Sequence, residues 1–139
     1  MSQLSKKLEK LIRTSPEILP VKTEQGILVG SVLISSDGSI KNLYHKGELV
    51  YSDIYLNAVA IKLANLLAKG LRGGRLDQIY KADQDYGKWF TDSQLLRNKY
   101  EKAKLSKDFE RADILWARYI ESRDRTMYAK NSAEALCNF

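Results

Sequence analysis

The 139-residue chain has one cysteine, one histidine and two prolines. With Cys137 as its sole thiol, no intrachain disulfide can form and no multi-thiolate metal site exists, and His45 alone cannot complete a zinc site. Long apolar runs are also lacking. The longest, Ala58 to Ala68, contains Lys62 and Asn65 and falls short of the roughly 20 residues that span a bilayer. Residues 1–13 interleave Lys6, Lys7, Glu9, Lys10 and Arg13 with leucines, which is not the apolar core of a signal peptide. These absences predict a cytoplasmic protein in a reducing compartment, with no membrane segment, no metal and no cofactor.

Catalytic patterns are equally scarce. The loop Gly70, Arg72, Gly73, Gly74, Arg75 precedes a helix and could hold an anion, yet its spacing fits neither a Walker A loop nor a dinucleotide fingerprint. Asp83-Gln84-Asp85-Tyr86-Gly87 opens like a calcium loop, but its glycine comes one place early and Gln94 stands where a bidentate glutamate belongs. Tyr100 and Lys104 have a spacing used by some reductases without the nucleotide-binding fold that gives it meaning. His45 has no cysteine or second histidine with which to build a triad. The chain is therefore expected not to be an enzyme, and no small-molecule substrate is identified.

What is present is ordinary globular composition, 44% hydrophobic and 29% charged, with a net charge of +6. The basic excess is spread thinly except at Arg97, Lys99, Lys102, Lys104 and Lys107, a stretch opposed only by Glu101. Acidic residues follow at Asp108, Glu110 and Asp113.

The pattern predicts an α+β protein, mostly helical. Residues 1–20 form an amphipathic arm, because Leu4, Leu8, Leu11 and Ile12 recur at helical spacing before Pro16 and Pro20. Residues 21–70 hold a β-hairpin or three-stranded meander covered by a buried helix. In it Ile27 to Ile34 form one strand, Asp37-Gly38 and Lys46-Gly47 mark turns, and Ile54 to Lys69 is the helix, capped by Ser52 or Asp53 and ended by Gly70. Residues 71–75 are a Gly/Arg linker and 76–139 are helical.

Within that last region Gly87 weakens one helix, and Thr91 with Gln94 has the spacing of a new helix start. Beyond it, residues 92–130 read either as one long helix or, with preference, as an antiparallel pair turning near Leu105 to Asp108, with Ser106 as cap. The run from Tyr100 to Leu115 resembles the helical hairpins of UVR-type motifs and of tetratricopeptide turns, in which a basic arm meets an acidic one. That resemblance implies an interaction module and assigns no residue role.

Two functions fit. The first is a structural or adaptor protein, such as an accessory protein of a phage or mobile element, that forms homo-oligomers, dimers above all, through Leu4, Leu8, Leu11 and Ile12 and through Phe109, Trp116, Tyr119 and Ile120. The second is weak electrostatic nucleic-acid binding through Arg97, Lys99, Lys102, Lys104 and Lys107, with Arg72 and Arg75 as further anion contacts.

Overall fold

A computed structural model describes residues 19–138, so the expected arm with Leu4, Leu8, Leu11 and Ile12 lies outside the described residues. The chain divides into two compact units, one up to Tyr80 and one from Lys81 onward. The loop expected as a linker at 71–75 lies within the first unit, which also contains the first turns of the following helix.

The first unit opens with five antiparallel strands in sequential order: β1 Pro20–Thr23, β2 Gly26–Val29, β3 Val32–Asp37, β4 Ile40–His45 and β5 Glu48–Ile54. Four two-residue turns join them. The sheet is thus two strands wider than the expected three-stranded meander, because the single strand read from Ile27 to Ile34 folds back on itself at Gly30-Ser31 and because Pro20–Thr23, at the end of the expected arm, adds a strand ahead of it. In a continuous strand Val29 and Val32, three apart, would face opposite sides; the turn sets them opposite each other, and both are fully buried. Gly30 makes this possible with φ 59°, a left-handed conformation that costs glycine little.

Lys46 and Gly47 both adopt positive φ, the pattern of a type I′ turn matched to strand twist. β5 carries two register shifts against β4. At one of them Asp53 sits at φ 57° and donates its backbone N–H to Asn42 Oδ1. Ser52 and Asp53 are therefore strand residues rather than helix caps.

The covering helix, α1 (Asn57–Ala68), begins at Leu56 with no side-chain cap. Val59, Leu63 and Leu67 are fully buried with Val29, Val32, Leu43 and Ile54 of the sheet. Each such side chain contributes roughly 1.5–3 kcal/mol through burial. α1 ends in a Schellman motif, with Leu71 N–H donating to the Leu66 carbonyl and Gly70 N–H to that of Leu67, and Gly70 at φ 85° as its sequence implies.

α2 (Arg75–Leu105) is continuous. The break expected at Gly87 and the helix start expected at Thr91 do not occur: the Thr91 hydroxyl turns back to donate to the Gly87 carbonyl within the helix. α2 ends where the sequence placed the turn, and α3 (Phe109–Leu136) follows, so the second unit is a helical hairpin. The cap is Asp108 and not Ser106: its carboxylate accepts from Arg111 N–H. The same Asp108 donates its own N–H to the Ala103 carbonyl, closing a second Schellman motif with Lys107 at φ 60° in the left-handed place. No described helix is long and apolar enough to cross a membrane.

Candidate interaction faces of the helical hairpin

The hairpin is closed by small residues. On α3 the buried side chains are Ala112, Leu115, Ser122, Thr126, Ala129 and Ala133. With half-buried Tyr119 they alternate three and four apart, the period of a coiled-coil seam. Ala103, Leu96 and Tyr100 of α2 pack against Ala112 and Leu115. Farther along, Ser122 Oγ donates to Asp92 Oδ2 at 2.8 Å and lies 3.4 Å from the Trp89 carbonyl, while Thr126 Oγ1 donates to the Ser122 carbonyl. The polar members of the seam are thus hydrogen-bonded, and no buried side-chain polar atom among the described residues lacks a partner.

A second seam runs beside the first: Asp113, Trp116, Ile120, Arg123 and Met127 each follow an inner-seam residue by one, Phe109 precedes them at the same period, and beyond Met127 the seam turns polar at Lys130 and Glu134. One residue is about 100° around a helix, so this seam lies on the flank of α3, beside the hairpin interior. Phe109 is 62% exposed, Trp116 45% and Met127 58%, and Ile120 is half-buried. Trp116 bridges the two seams, its ring 5.0 Å from that of Tyr100 and 5.4 Å from that of Tyr119. Of the four self-association candidates on this helix, Phe109, Trp116 and Ile120 therefore share the outer seam and Tyr119 belongs to the inner one. Met127 completes the stripe. Its signal is present in the sequence as the spacing 109, 116, 120, 127, which only becomes visible once α3 is known to be unbroken.

The basic candidates do not share a face. Lys99 and Lys102 line a cleft of about 240 Å³ at the hairpin turn, together with Ala103, Ser106, Asp108 and Arg111. Arg97 and Lys104 point nearly to the opposite side of α2, by the same helical arithmetic, and Lys104 Nζ lies 5.9 Å from the Tyr100 ring. Lys107 occupies the turn. Farther along the cleft side, the Arg125 guanidinium stacks 4.8 Å from the Trp89 ring and pairs with Glu121 at 2.9 Å. Tyr86 stacks on Phe90, and burial first, then the charges of Asp83 and Glu134, raise its hydroxyl above the ordinary tyrosine range.

The first unit has one polar cluster that the sequence did not disclose. Arg72 Nη2 donates to His45 Nδ1 at 2.6 Å. The other ring nitrogen, Nε2, therefore carries the proton and donates to Ser31 Oγ at 3.0 Å. Tyr51 donates to Asp77 Oδ1 at 2.6 Å, its ring lies 4.8 Å from that of Tyr80 with the planes tilted by 40°, and Tyr80 donates to the Ser52 carbonyl. Burial, then the hydrogen bond to Asp77 and its charge, push the Tyr51 hydroxyl far above its ordinary range, with Arg72 opposing weakly. A tyrosine held this firmly protonated is a structural donor. Arg72 is thus committed to His45, whereas Arg75 opens α2.

Among the described residues no group of three or more histidine, cysteine or carboxylate side chains is placed to hold a metal ion. Compared with protein-family models, with curated proteins and with solved structures, the chain matches none.

Proposed function

We propose that the chain is a non-enzymatic structural or adaptor protein that associates with a second copy of itself through the outer seam of α3. The observation that supports this reading is the exposure of Phe109, Trp116 and Met127 in one heptad-spaced stripe. An apolar stripe at that period, here interrupted by Asp113 and Arg123, is the surface a partner helix covers. Light scattering after size exclusion tests it. The expected particle has twice the chain mass of 15.9 kDa. Phe109→Ser with Met127→Ser halves that mass while leaving the circular dichroism unchanged, because both side chains are exposed. A wild-type chain that remains monomeric at every concentration overturns the reading.

The cleft at the hairpin turn supports a second reading, phosphate contact by a nucleic acid. Lys99, Lys102 and Arg111 converge there, although Asp108 lines the same cleft and offsets part of their charge. Binding of a labelled single-stranded oligonucleotide is expected to be weak and to fall steeply between 50 and roughly 200 mM salt. Changing Lys99 and Lys102 to Glu abolishes it without altering the oligomer mass. A loss of oligomer mass in that variant would place these lysines in the self-association interface and remove the second reading.

A further inference from the structure

We infer that two copies of α3 pair antiparallel about a two-fold axis level with residue 118, so that Asp113 of one copy faces Arg123 of the other; this rests on the self-association reading above. The argument starts from the outer seam alone. The stretch bounded by its outermost apolar residues, Phe109 and Met127, has six members spaced four, three, four, three and four apart, and that series reads the same from either end. A seam with this symmetry can be laid on a reversed copy of itself with every layer matched, which is what an isologous two-fold contact requires.

In that register Phe109 meets the partner copy's methionine at 127, Trp116 meets its isoleucine at 120, and Asp113 meets its arginine at 123, each pairing occurring twice. Four layers are apolar on apolar and two are opposite charges. The in-register parallel alternative sets Asp113 on Asp113 and Arg123 on Arg123, which buries like charges in the middle of the contact. Asp113 and Arg123 are both exposed, and neither makes an ion pair within the described residues. The charges that interrupt the apolar stripe thereby acquire a purpose: they select direction. On the solvent flank of the contact, Glu110 of one copy comes near Asp124 of the other, a rim repulsion that water and salt screen. The paired hairpins would form a four-helix arrangement with the small-residue seams inside each copy and the larger side chains between copies.

A charge-swap cycle on the full chain tests the pairing by sedimentation at low salt. Asp113→Arg and Arg123→Asp each weaken the dimer by at least about tenfold, because each places like charges together twice. The double variant restores dimer affinity to within about threefold of wild type, the signature of a direct pair in a cycle of variants. Both sites are exposed, and an unchanged circular dichroism spectrum confirms that folding is not the cause. If the single variants weaken the dimer and the double variant stays weak, or if neither has an effect while Phe109→Ser with Met127→Ser still yields monomers, the antiparallel register is overturned and self-association through α3 stands. If the wild type never dimerises, both are overturned together.

Discussion

The two units fill their interiors with different materials. Beneath α1 the sheet unit buries branched and long side chains, Val29, Val32, Leu43, Ile54, Leu63 and Leu67 among them, whereas the hairpin seam is mostly alanine, serine and threonine. A helix pair closed by small side chains brings its backbones near each other but removes little apolar surface from water. Such a hairpin leaves its large residues outside, and Phe109, Trp116 and Met127 lie there. The contrast teaches that the sheet unit carries its own hydrophobic core, while the hairpin holds much of its apolar surface in reserve.

Reversing the material in each unit breaks the contrast most directly. Leu63→Ala, at a fully buried position, is expected to destabilise the sheet unit by about 2–5 kcal/mol through lost transfer energy and the cavity left behind. Its complement, Ala133→Leu, inserts bulk where the seam has none and costs the hairpin about 1–3 kcal/mol. Urea unfolding reads both. Trp89 and Trp116 are the chain's only tryptophans and both lie in the second unit, so fluorescence follows the hairpin alone. A neutral or stabilising Ala133→Leu would show that the seam is not close-packed, and the contrast would fail.

A smaller effect compares the two helix ends. α1 and α2 finish in the same Schellman geometry, one with Gly70 and the other with Lys107 in the left-handed position. Lys107→Gly removes the steric cost of that conformation and is expected to raise hairpin stability by about 1 kcal/mol, seen as a later fluorescence midpoint.

The smallest effect sets Tyr51 of the sheet unit against pH. A hydroxyl whose ionisation is raised on folding contributes stability that is fully present below the unfolded value near 10 and is lost as pH rises through the folded one. Thermal unfolding of the sheet unit should therefore fall more steeply above about pH 10 in the wild type than in Tyr51→Phe, with the two chains responding alike near neutrality. Equal alkaline slopes would refute the raised ionisation of Tyr51, set by burial first and by Asp77 second, as a source of alkaline instability.

Much of this architecture was legible from residue order alone, and the misses have physical reasons. Sequential strands, a buried helix stopped by Gly70 and a turn near Leu105 to Asp108 all follow from local chemistry. The turn at Gly30-Ser31 escaped notice because Val29 and Val32 flank it and make the apolar run look continuous. Gly87 misled in the opposite direction: one glycine costs a helix roughly 0.5–1 kcal/mol, which packing along a 31-residue helix overrides. Phe109, Trp116 and Ile120 were singled out together with Tyr119 because two adjacent heptads overlap in a list of apolar residues. Only the fold separates them. The His45, Arg72 and Ser31 contacts had no local signal, since they join the β2–β3 turn, the end of β4 and the loop before α2, far apart in sequence.

Asp108 belongs to the cap of the helix before it and begins the helix after it, so the hairpin has no spare residue at its turn. The two seams of α3 differ by a single step of the chain. That turn therefore works as an index mark, setting the angular phase at which α3 enters the hairpin and hence which seam is turned inward. Rotating α3 by one residue would exchange the closed surface for the offered one. Insertions or deletions at Ser106 to Asp108 would then act as changes of allegiance, redirecting the large side chains from the hairpin's surface to its interior.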